Sequence, residues 1–471
     1  MDIHERLSQL PAVDALLGSP GLAAARARFG RHALTDAVRH VLAEMREVLR
    51  RDGEASLGSA VSTEAIAARV QAYLERATRP GFRRAINATG IILHTGLGRA
   101  VLPRAALRAL EGELARYSLL QVSQKTGERS LREAPVERLL QQITGCEAAT
   151  VVNNNAGATA LVLRVLAQGK EVVVSRGQLV EIGGSFRIPE VMAESGATLV
   201  EVGTTNRTHL RDYASAINER TAALLRVHPS NYRVYGFTSE VPIADLVALG
   251  HEHHLPVIDD LGSGALIDLT RFGLPYEPTV QASLRAEADL VTFSADKLIG
   301  GPQGGVIVGK KEYIERLRAH PMARMVRVGK LTLVALEATL RLFLDEERLL
   351  AEHPTIRMLC EPIAAVARRA RRLARAIRAR LPQADVAVVP ASAQMGSGSL
   401  PTHDLPSRAV ALTVPPLSAD ALAERLRLGE PPVFARIQED RVLLDLRTVA
   451  ADELREIVEA LALIGQEASQ G

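Results

Sequence analysis

The segment TFSADKLIGGPQGG, residues 292–305, contains one lysine, Lys297, which is followed within eight residues by four glycines and a proline. The apolar run ADLV leads into it and the apolar run GVIVG leaves it, so the lysine is expected at the end of a buried strand. A buried lysine is costly unless it is paired or chemically used. Burial also lowers the pKa of an amine and makes it a better nucleophile toward a carbonyl group. A surface lysine with a long stem that reaches solvent is the alternative explanation.

Around this segment, short β-branched runs alternate with helical patterns from about Asn87 onward. Continuous apolar strands separated by helices are typical of a parallel sheet that is covered on both faces. We therefore predict an α/β fold with a mostly parallel, seven-stranded sheet. The predicted strands are ATVVN (149–153), EVVVS (171–175), TLVEVG (198–203), ALLRVH (223–228), PVID (256–259), DLVTFS (289–294) and GVIVG (305–309).

The regions that flank these strands have other patterns. Residues 1–60 repeat apolar residues at three- and four-residue spacing, which predicts a helical N-terminal domain, and 61–85 predict a linker helix with a Ser/Thr cap. Residues 86–335 form the predicted α/β domain. In residues 336–471, helices flank the strand candidates AVALTV and PVFARIQEDRVLLDLRTV, which predicts a small C-terminal α+β domain.

The composition excludes several classes of protein. The 471 residues are 47% apolar and 24% charged, as in ordinary soluble globular chains, and the net charge of +3 neither requires nor excludes a nucleic-acid partner. Two cysteines cannot form a disulfide framework, which favours a reducing compartment. No apolar run is long enough to span a bilayer, so we expect a soluble cytoplasmic protein.

Two further strand ends carry small or polar residues, and ligands of open parallel sheets bind at such ends. NNNAGATA (153–160) follows the first strand, and backbone N–H groups of Asn155, Ala156, Gly157 and Ala158 would suit a phosphate. A tight turn with an asparagine cap explains the same residues. PVID ends in Asp259 and Asp260, either of which could meet a cationic ligand group or cap a turn.

A phosphate cradle, then an aspartate, then a lysine is the order that holds pyridoxal 5′-phosphate (PLP) in an aminotransferase-like fold. Lys297 would bond the aldehyde, and the aspartate would keep the pyridine nitrogen protonated so that the ring acts as an electron sink. We include Ser294 among the expected cofactor-binding residues and expect no metal. The glycines after Lys297 are expected to let the backbone approach the cofactor.

Long segments of the chain resemble bacterial selenocysteine synthase, the L-seryl-tRNA(Sec) selenium transferase, a PLP-dependent enzyme of the aminotransferase-like fold (fold type I). The resemblance covers nearly the whole chain and favours Asp260 over Asp259, because DLGSG aligns with the family motif. The segments include INATGIILHTGLGRA (86–100), GCEAATVVNNNAGA (145–158), VHPSNYRVYGF (227–237), FSADKLIGGPQGGVIVGKK (293–311) and RMVRVGKLTLVALEATL (324–340).

The resemblance implies conversion of seryl-tRNA(Sec) to selenocysteinyl-tRNA(Sec), by PLP-dependent loss of the serine hydroxyl and addition of selenium from selenophosphate. It places Arg99, Arg324 and Arg327 at the selenium donor, where guanidinium groups suit phosphate-like oxyanions. Arg132 matches a position near the aminoacyl end of the tRNA.

The resemblance also implies that the protein binds tRNA and that it forms an oligomer. The N-terminal helices would hold the tRNA by its shape and backbone, as structured RNA is usually recognised. The stretch TTNRTHLRDY (204–213) matches a segment that packs dimers into a ring of ten subunits, with Thr204, Thr205 and Asp212 in the contact. The expected assembly is a homodecamer, a pentamer of dimers.

The chain departs from the family pattern at Gly96, where asparagine is usual, at Ala295, where glycine is usual, and in the loop Gly127–Glu137, which lacks the usual glycine and histidine. The altered loop leaves open an alternative function, a PLP-dependent lyase acting on a small amino acid or an amino-sugar phosphate. A catalytically idle tRNA-binding scaffold is a third possibility, which Lys297, Asp260 and the phosphate loop argue against.

Three other features have ordinary explanations. The arginines of residues 368–380 are expected on a solvated helix face, and HEHHLP (251–256) is expected to be a loop rather than a metal site. Cys146 is expected to be a buried packing residue.

Overall fold

The computed structural model describes residues 10–52, 62–183, 186–400 and 403–470. The chain divides into two compact units, Met1–Arg84 and Ala85–Gly471. Each unit has an apolar core of its own.

The first unit is helical, as its apolar spacing predicts. Its helices are α1 (Val13–Gly18), α2 (Ala23–Asp52) and α3 (Thr63–Ala77), and Gly30, with φ 80°, interrupts α2. The Ser62 hydroxyl caps α3 by accepting a hydrogen bond from the Ala65 N–H at 3.1 Å. The apolar side chains of α2 and α3 share one core, so the segment predicted as a linker helix packs on α2 within this unit.

The second unit contains the remaining helices and strands. Its helices are α4 (Arg104–Leu114), α5 (Ala134–Thr144), α6 (Asn155–Ala167), α7 (Ile188–Ser195), α8 (Leu210–Ala216), α9 (Ile243–Glu252), α10 (Val280–Arg285), α11 (Lys311–Ala319), α12 (Pro321–Met325), α13 (Lys330–Leu340), α14 (Glu346–Glu352), α15 (Pro354–Cys360), α16 (Ile363–Arg380), α17 (Ala419–Leu428) and α18 (Glu453–Gln470). Its strands are β1 (Ile86–Asn87), β2 (Ala148–Val152), β3 (Glu171–Ser175), β4 (Glu181–Ile182), β5 (Phe186–Arg187), β6 (Thr198–Val202), β7 (Thr221–Val227), β8 (Val257–Gly262), β9 (Leu290–Ser294), β10 (Gly305–Gly309), β11 (Asp385–Gln394), β12 (Asp404–Thr413), β13 (Val433–Phe434), β14 (Arg436–Gln438) and β15 (Arg441–Asp445).

The central sheet has seven strands in the order β2-β10-β9-β8-β7-β3-β6, and these are the seven strands that the sequence predicts. All neighbouring strands are parallel except β10, which runs antiparallel to both β2 and β9. Successive residues of β3 belong to different cores, with Val173 on one face and Val172 and Val174 on the other. Helices cover both faces, which explains why these strands are continuous apolar runs.

A smaller antiparallel sheet, in the order β11-β12-β15-β14, packs against α16, α17 and α18. Helix α16 buries Val366, Leu373 and Ile377 against this sheet, and most of its arginines are exposed, as predicted. Arg369 differs, because its guanidinium bonds the Glu361 carboxylate at 2.7 Å. Within the described residues, we find no helix with the length and apolar character needed to cross a membrane.

Candidate active site

Lys297 lies just beyond the end of β9, in a turn closed by two backbone hydrogen bonds. The Gly300 N–H donates to the Lys297 carbonyl at 2.9 Å and the Gly301 N–H donates to the Ala295 carbonyl at 2.8 Å. The lysine is only 6% exposed and lines a cavity of about 260 Å³. The cavity is also lined by Arg99, Asn154, Asn155, Ala156, His228, Ser230, Asp260, Ser294 and Asp296.

The structure shows tight packing at two of the glycines after Lys297. Gly300 has φ +65°, and a Cβ atom there would overlap the imidazole of His353. A Cβ atom at Gly305 would overlap the backbone of Asn154. The glycines therefore let the lysine turn pack tightly against other parts of the protein, and neither of these two lines the cavity.

The environment of Lys297 disfavours the charged form of its amine relative to an exposed lysine. Burial lowers the pKa of Lys297, and the charge of Arg99 lowers it further, while Asp260 and Asp296 raise it without reversing the shift. Arg99 donates to Asp296 at 2.8 Å, so the carboxylate next to the lysine in sequence already has a cationic partner. Arg99 holds φ 61°, an uncommon conformation for a residue with a side chain and one that is often found at functional sites.

Asp260 is held by three hydrogen bonds at the end of β8. Its carboxylate accepts from Asn155 Nδ2 at 2.8 Å, from Thr159 Oγ1 at 2.9 Å and from the Gly262 N–H at 3.0 Å. Burial raises the pKa of Asp260, although these donors and Lys297 oppose the rise. A buried carboxylate with this shift would be stabilised by a further cationic N–H group.

The neighbouring Asp259 points into a different environment. Its carboxylate accepts from Arg226 Nη1 at 3.0 Å and from Ser283 Oγ at 2.6 Å, and it is fully buried. Of the two aspartates that the sequence leaves open, Asp260 is the one that lines the cavity with Lys297.

Helix α6 begins at the edge of the same cavity. Asn154 caps it by accepting from the Gly157 N–H at 2.8 Å, and Asn155 and Ala156 line the cavity. The first N–H groups of a helix have no partner inside the helix and favour anions. Gly157 and Ala158, also expected at a phosphate, do not line the cavity, and Ala158 is fully buried.

Two buried polar atoms of cavity-lining residues, Asn155 Oδ1 and Ser230 Oγ, have no hydrogen-bond partner within the described residues. A third, His228 Nε2, faces Glu277 Oε1 at 3.4 Å. Buried polar atoms are nearly always paired, so unpaired atoms beside a cavity indicate a polar ligand. An amine, a carboxylate and a helix N-terminus around one cavity fit a ligand that carries a carbonyl group, a basic ring nitrogen and a phosphate. PLP has these three groups.

The other predicted arginines lie in a separate cluster. The charges of Arg327 and Arg324 both lower the pKa of Arg132, after the larger effect of burial. Arg132 donates to Gln121 Oε1 at 2.7 Å and to the Val328 carbonyl at 3.2 Å. Within the described residues, none of the three arginines forms an ion pair, and none lines the Lys297 cavity. The segment that carries Arg324 and Arg327 lies next to the start of α6, because the Asn153 N–H donates to the Val326 carbonyl at 2.8 Å.

Comparison with known proteins agrees with this geometry. The family described as L-seryl-tRNA selenium transferase matches residues 85–450, and the one described as selenocysteine synthase N terminal matches residues 7–46. The chain belongs to the L-seryl-tRNA selenium transferase family. The relative from Solidesulfovibrio magneticus, named L-seryl-tRNA(Sec) selenium transferase, is 50% identical over 96% of this chain and 97% of its own length. Relatives with the same name from Nitratidesulfovibrio vulgaris and Geobacter metallireducens are 49% and 47% identical, covering 96% and 97% of this chain and 97% and 98% of their own lengths.

The solved structure of D-glucosaminate-6-phosphate ammonia-lyase has a similar fold. It superposes with a TM-score of 0.56 at 22% identity, covering 83% of this chain and 97% of its own. At that identity the likeness concerns the fold alone. Together with the membership of the selenium transferase family, the seven-stranded sheet confirms the predicted aminotransferase-like α/β fold.

In this selenium transferase family member, sequence reasoning missed several residues of the site. Thr159 bonds Asp260, and His228 and Ser230 line the cavity. His228 and Ser230 lie in VHPSNYRVYGF, a segment with a visible resemblance but no assigned role. Their position directly after β7 was the available signal, because the carboxyl ends of neighbouring strands converge on one site.

The remaining predicted residues lie away from the cavity. Thr204 and Thr205 are exposed, and the Asp212 carboxylate accepts from the His209 N–H at 2.8 Å as part of a capping box for α8. Cys146 is buried, as predicted. In HEHHLP, His251 and Glu252 belong to the last turn of α9 and only the residues after them form a loop.

Proposed function

We propose that this chain converts seryl-tRNA(Sec) to selenocysteinyl-tRNA(Sec), with PLP as cofactor and selenophosphate as selenium donor. The observation that carries the proposal is a buried amine, Lys297, which shares a cavity with the hydrogen-bonded carboxylate of Asp260. Relatives that are 50% and 49% identical over nearly the full length bear the name of this transferase.

The residues of the cavity fit PLP in definite roles. Lys297 would bond the aldehyde, Asp260 would pair with the ring nitrogen, and Asn155, Ala156 and Ser294 would hold the phosphate at the start of α6. Gly157 and Ala158 would contribute by shaping that helix start rather than by contact. When bound, PLP supplies an electron sink that makes the α-proton of the aminoacyl group acidic.

The residues of the chain then move protons and bind anions. Lys297, whose pKa is lowered by burial, would take the α-proton of the serine as a neutral amine. The serine hydroxyl leaves as water, and selenium adds at the carbon that carried it. Arg99, Arg324 and Arg327 would bind the phosphate-like oxygens of the donor, because guanidinium groups match such oxyanions.

The tRNA would be held outside the cavity. In the first unit, α2 and α3 border a groove of about 1040 Å³, larger than the Lys297 cavity, whose lining contains five arginines together with Glu44, Glu47 and apolar side chains. The arginines are Arg46, Arg50, Arg69, Arg76 and Arg79. Such a groove suits the phosphate backbone of structured RNA. Arg132 would lie near the aminoacyl end of the tRNA.

The proposed assembly is a decamer in which Thr204, Thr205 and Asp212 lie at a contact between dimers. Exposed apolar side chains next to this segment support an interface. Tyr235 and Phe237 are 76% and 83% exposed, and the Phe237 carbonyl accepts from Asn206 Nδ2 at 2.7 Å. Large exposed aromatic residues grouped together are typical of contact surfaces.

The proposal is tested with purified protein, tRNA(Sec) charged with labelled serine, and selenophosphate, followed by hydrolysis and chromatography of the amino acid. We expect the label to move to selenocysteine in the wild type and to remain on serine in Lys297→Ala. If the label remains on serine in a wild-type protein that absorbs as a PLP enzyme, the transferase proposal is overturned. Release of ammonia from a free amino acid or an amino-sugar phosphate would then identify the lyase.

A further inference from the structure

A second ionisable pair, His228 and Glu277, lies beside the Lys297 cavity and has no part in the chemistry above. His228 Nε2 lies 3.4 Å from Glu277 Oε1, and both side chains are buried. Glu277 Oε1 also accepts from Ser263 Oγ at 2.6 Å, and Arg233 Nη2 approaches Glu277 Oε2 at 3.8 Å. The carboxylate is therefore built into the protein interior, behind an imidazole that reaches the cavity wall.

The backbone fixes where this imidazole lies. His228 directly follows β7, and its N–H donates to the Asp260 carbonyl at 2.8 Å, which ties it to the neighbouring strand β8. Nε2 is buried on the side of Glu277, and His228 also lines the cavity. From these two facts we infer that the opposite edge of the ring, with Nδ1, is the one toward the cavity. This edge shares the cavity with Lys297, Asp260 and the Arg99–Asp296 pair.

The Glu277 carboxylate is placed to stabilise a proton on the imidazole ring of His228. Burial raises the pKa of Glu277, but the hydrogen bonds from His228 and Ser263 and the charges of His228 and Arg233 outweigh it, and the pKa lies below its usual value. Glu277 is thus a carboxylate at neutral pH. A carboxylate behind an imidazole orients the ring and stabilises its protonated form.

Besides the removal of the α-proton, the proposed reaction needs a proton delivered to the hydroxyl oxygen of the serine. The serine hydroxyl is a poor leaving group unless its oxygen is protonated as the carbon–oxygen bond breaks. Lys297 is occupied with the α-proton, and Asp296 is paired with Arg99 at 2.8 Å. We propose that His228, oriented by Glu277, donates this proton to the departing β-oxygen of the serine.

The inference rests on the proposed function, and its proton balance is simple. The Nδ1–H bond of His228 breaks and an O–H bond forms on the serine oxygen, while the carbon–oxygen electron pair leaves with that oxygen as water. The α-proton goes to the Lys297 amine, and the electron pair of the α carbon–hydrogen bond becomes the new carbon–carbon double bond. His228 is left neutral and takes a proton back from solvent.

The test separates the two proton transfers in the enzyme loaded with PLP and seryl-tRNA(Sec), without selenophosphate. Exchange of the α-proton is measured in D₂O by the mass of the recovered serine, and hydroxyl loss by the pyruvate obtained on hydrolysis. In both His228→Gln and Glu277→Gln we expect the rate of α-proton exchange to stay within about threefold of the wild type. In His228→Gln we expect the rate of hydroxyl loss to fall about 100-fold or more. Lys297→Ala should lose both.

The matched control is His251→Gln, because His251 forms another histidine–carboxylate pair, with Asp289 at 3.2 Å, outside the cavity. We expect both rates to be unchanged in this variant. Two readouts detect a purely structural effect: the PLP dissociation constant from absorbance, and rescue of His228→Ala by added imidazole. We expect an affinity for PLP near that of the wild type and restored hydroxyl loss with imidazole.

The outcomes are distinguishable. If exchange and hydroxyl loss fall together in His228→Gln while the wild type still makes selenocysteine, the inference is wrong and the proposed function stands. A lower affinity for PLP with no separation of the two rates would also overturn it, because His228 would then hold the cofactor. If the wild type makes no selenocysteine, the proposed function itself fails, and the inference fails with it.

Discussion

The Lys297 cavity and the cluster of Arg132, Arg324 and Arg327 are both rich in charge, but the charges are arranged in opposite ways. In the cavity, Arg99 pairs with Asp296, and Asp260 is held by three hydrogen bonds. In the arginine cluster, three cations lie together, and no carboxylate among the described residues forms an ion pair with them.

The difference lies in how the charged side chains of each site are held. The cavity holds its reactive groups in place through contacts within the protein, as catalysis requires. In the arginine cluster the three positive charges oppose one another, which a bound anion would offset, although Arg132 itself is held by Gln121 and the Val328 carbonyl. We expect substitutions in the cavity to change the chemistry, and substitutions in the cluster to change affinity for the selenium donor.

The largest effect is expected for Lys297→Ala. Loss of the amine removes both the bond to the cofactor and the acceptor of the α-proton, so selenocysteine formation should fall about 1000-fold or more. The measurement is the chromatographed labelled amino acid, with the PLP absorbance of the variant recorded beside it. Lys310→Ala is the matched control, because Lys310 pairs with Asp289 outside the cavity and should keep full activity. Equal activity of the two variants would remove Lys297 from the mechanism.

Asp260→Asn is expected to have the next largest effect. The change keeps the size of the side chain but removes the charge that would pair with the ring nitrogen, so we expect about 100-fold lower turnover, or about 2.7 kcal/mol in the barrier. Asp259→Asn sharpens the comparison, because Asp259 is paired with Arg226 and does not line the cavity. That variant should lower the thermal stability and leave the PLP absorbance unchanged. The reverse result would mean that Asp259 meets the cofactor.

The buried residue His353, which packs against Gly300 in the Lys297 turn, should make the stability of the protein depend on pH. Its Nε2 donates to the Ile299 carbonyl at 2.7 Å and its Nδ1 accepts from the Ile356 N–H at 3.2 Å, which requires the neutral ring. Burial lowers the pKa of His353 to about 4. The unfolded chain takes up this proton below about pH 6.5 and the folded protein only near pH 4, so stability is lost as the pH falls through that window.

At pH 5 the loss should reach about 2 kcal/mol relative to pH 8. Denaturant unfolding at several pH values measures it, and the pH dependence should be shallower by about this amount in His353→Gln. An unchanged pH dependence in that variant would show that His353 is not the titrating group.

The smallest effect is expected in the arginine cluster. Arg324→Ala or Arg327→Ala should raise the KM for selenophosphate about tenfold, or about 1.4 kcal/mol, with little change in kcat. The lysine variants should recover only part of this, because an ammonium group cannot bind an oxyanion in bidentate fashion. Arg371→Ala, on the exposed face of α16, is the control and should leave KM unchanged. A fall in kcat alone would place these arginines in the chemistry and remove the distinction between the two sites.

The parts of the protein that could be predicted are those that local pattern controls. The seven strands follow from apolar runs such as Val172–Val174, because burial on both faces selects such runs whatever lies beside them. Lys297 and Asp260 could be found because each lies close to the carboxyl end of such a strand. The strand β11 (DVAVVPASAQ) is only partly buried and contains a proline, so its sequence pattern does not predict a strand.

The rest depended on residues far apart in the chain. Sequence determined that an amine, a carboxylate and a helix start lie at one edge of a sheet, because neighbouring parallel strands end together. The resemblance favours Asp260 over Asp259, and the tertiary structure places Asp260 in the lining of the cavity. Only the tertiary structure shows that Gly300 makes room for His353. It also decided that Glu277 lies behind His228. Side-chain contacts of this kind depend on how separate elements pack, and no local spacing in the chain encodes them.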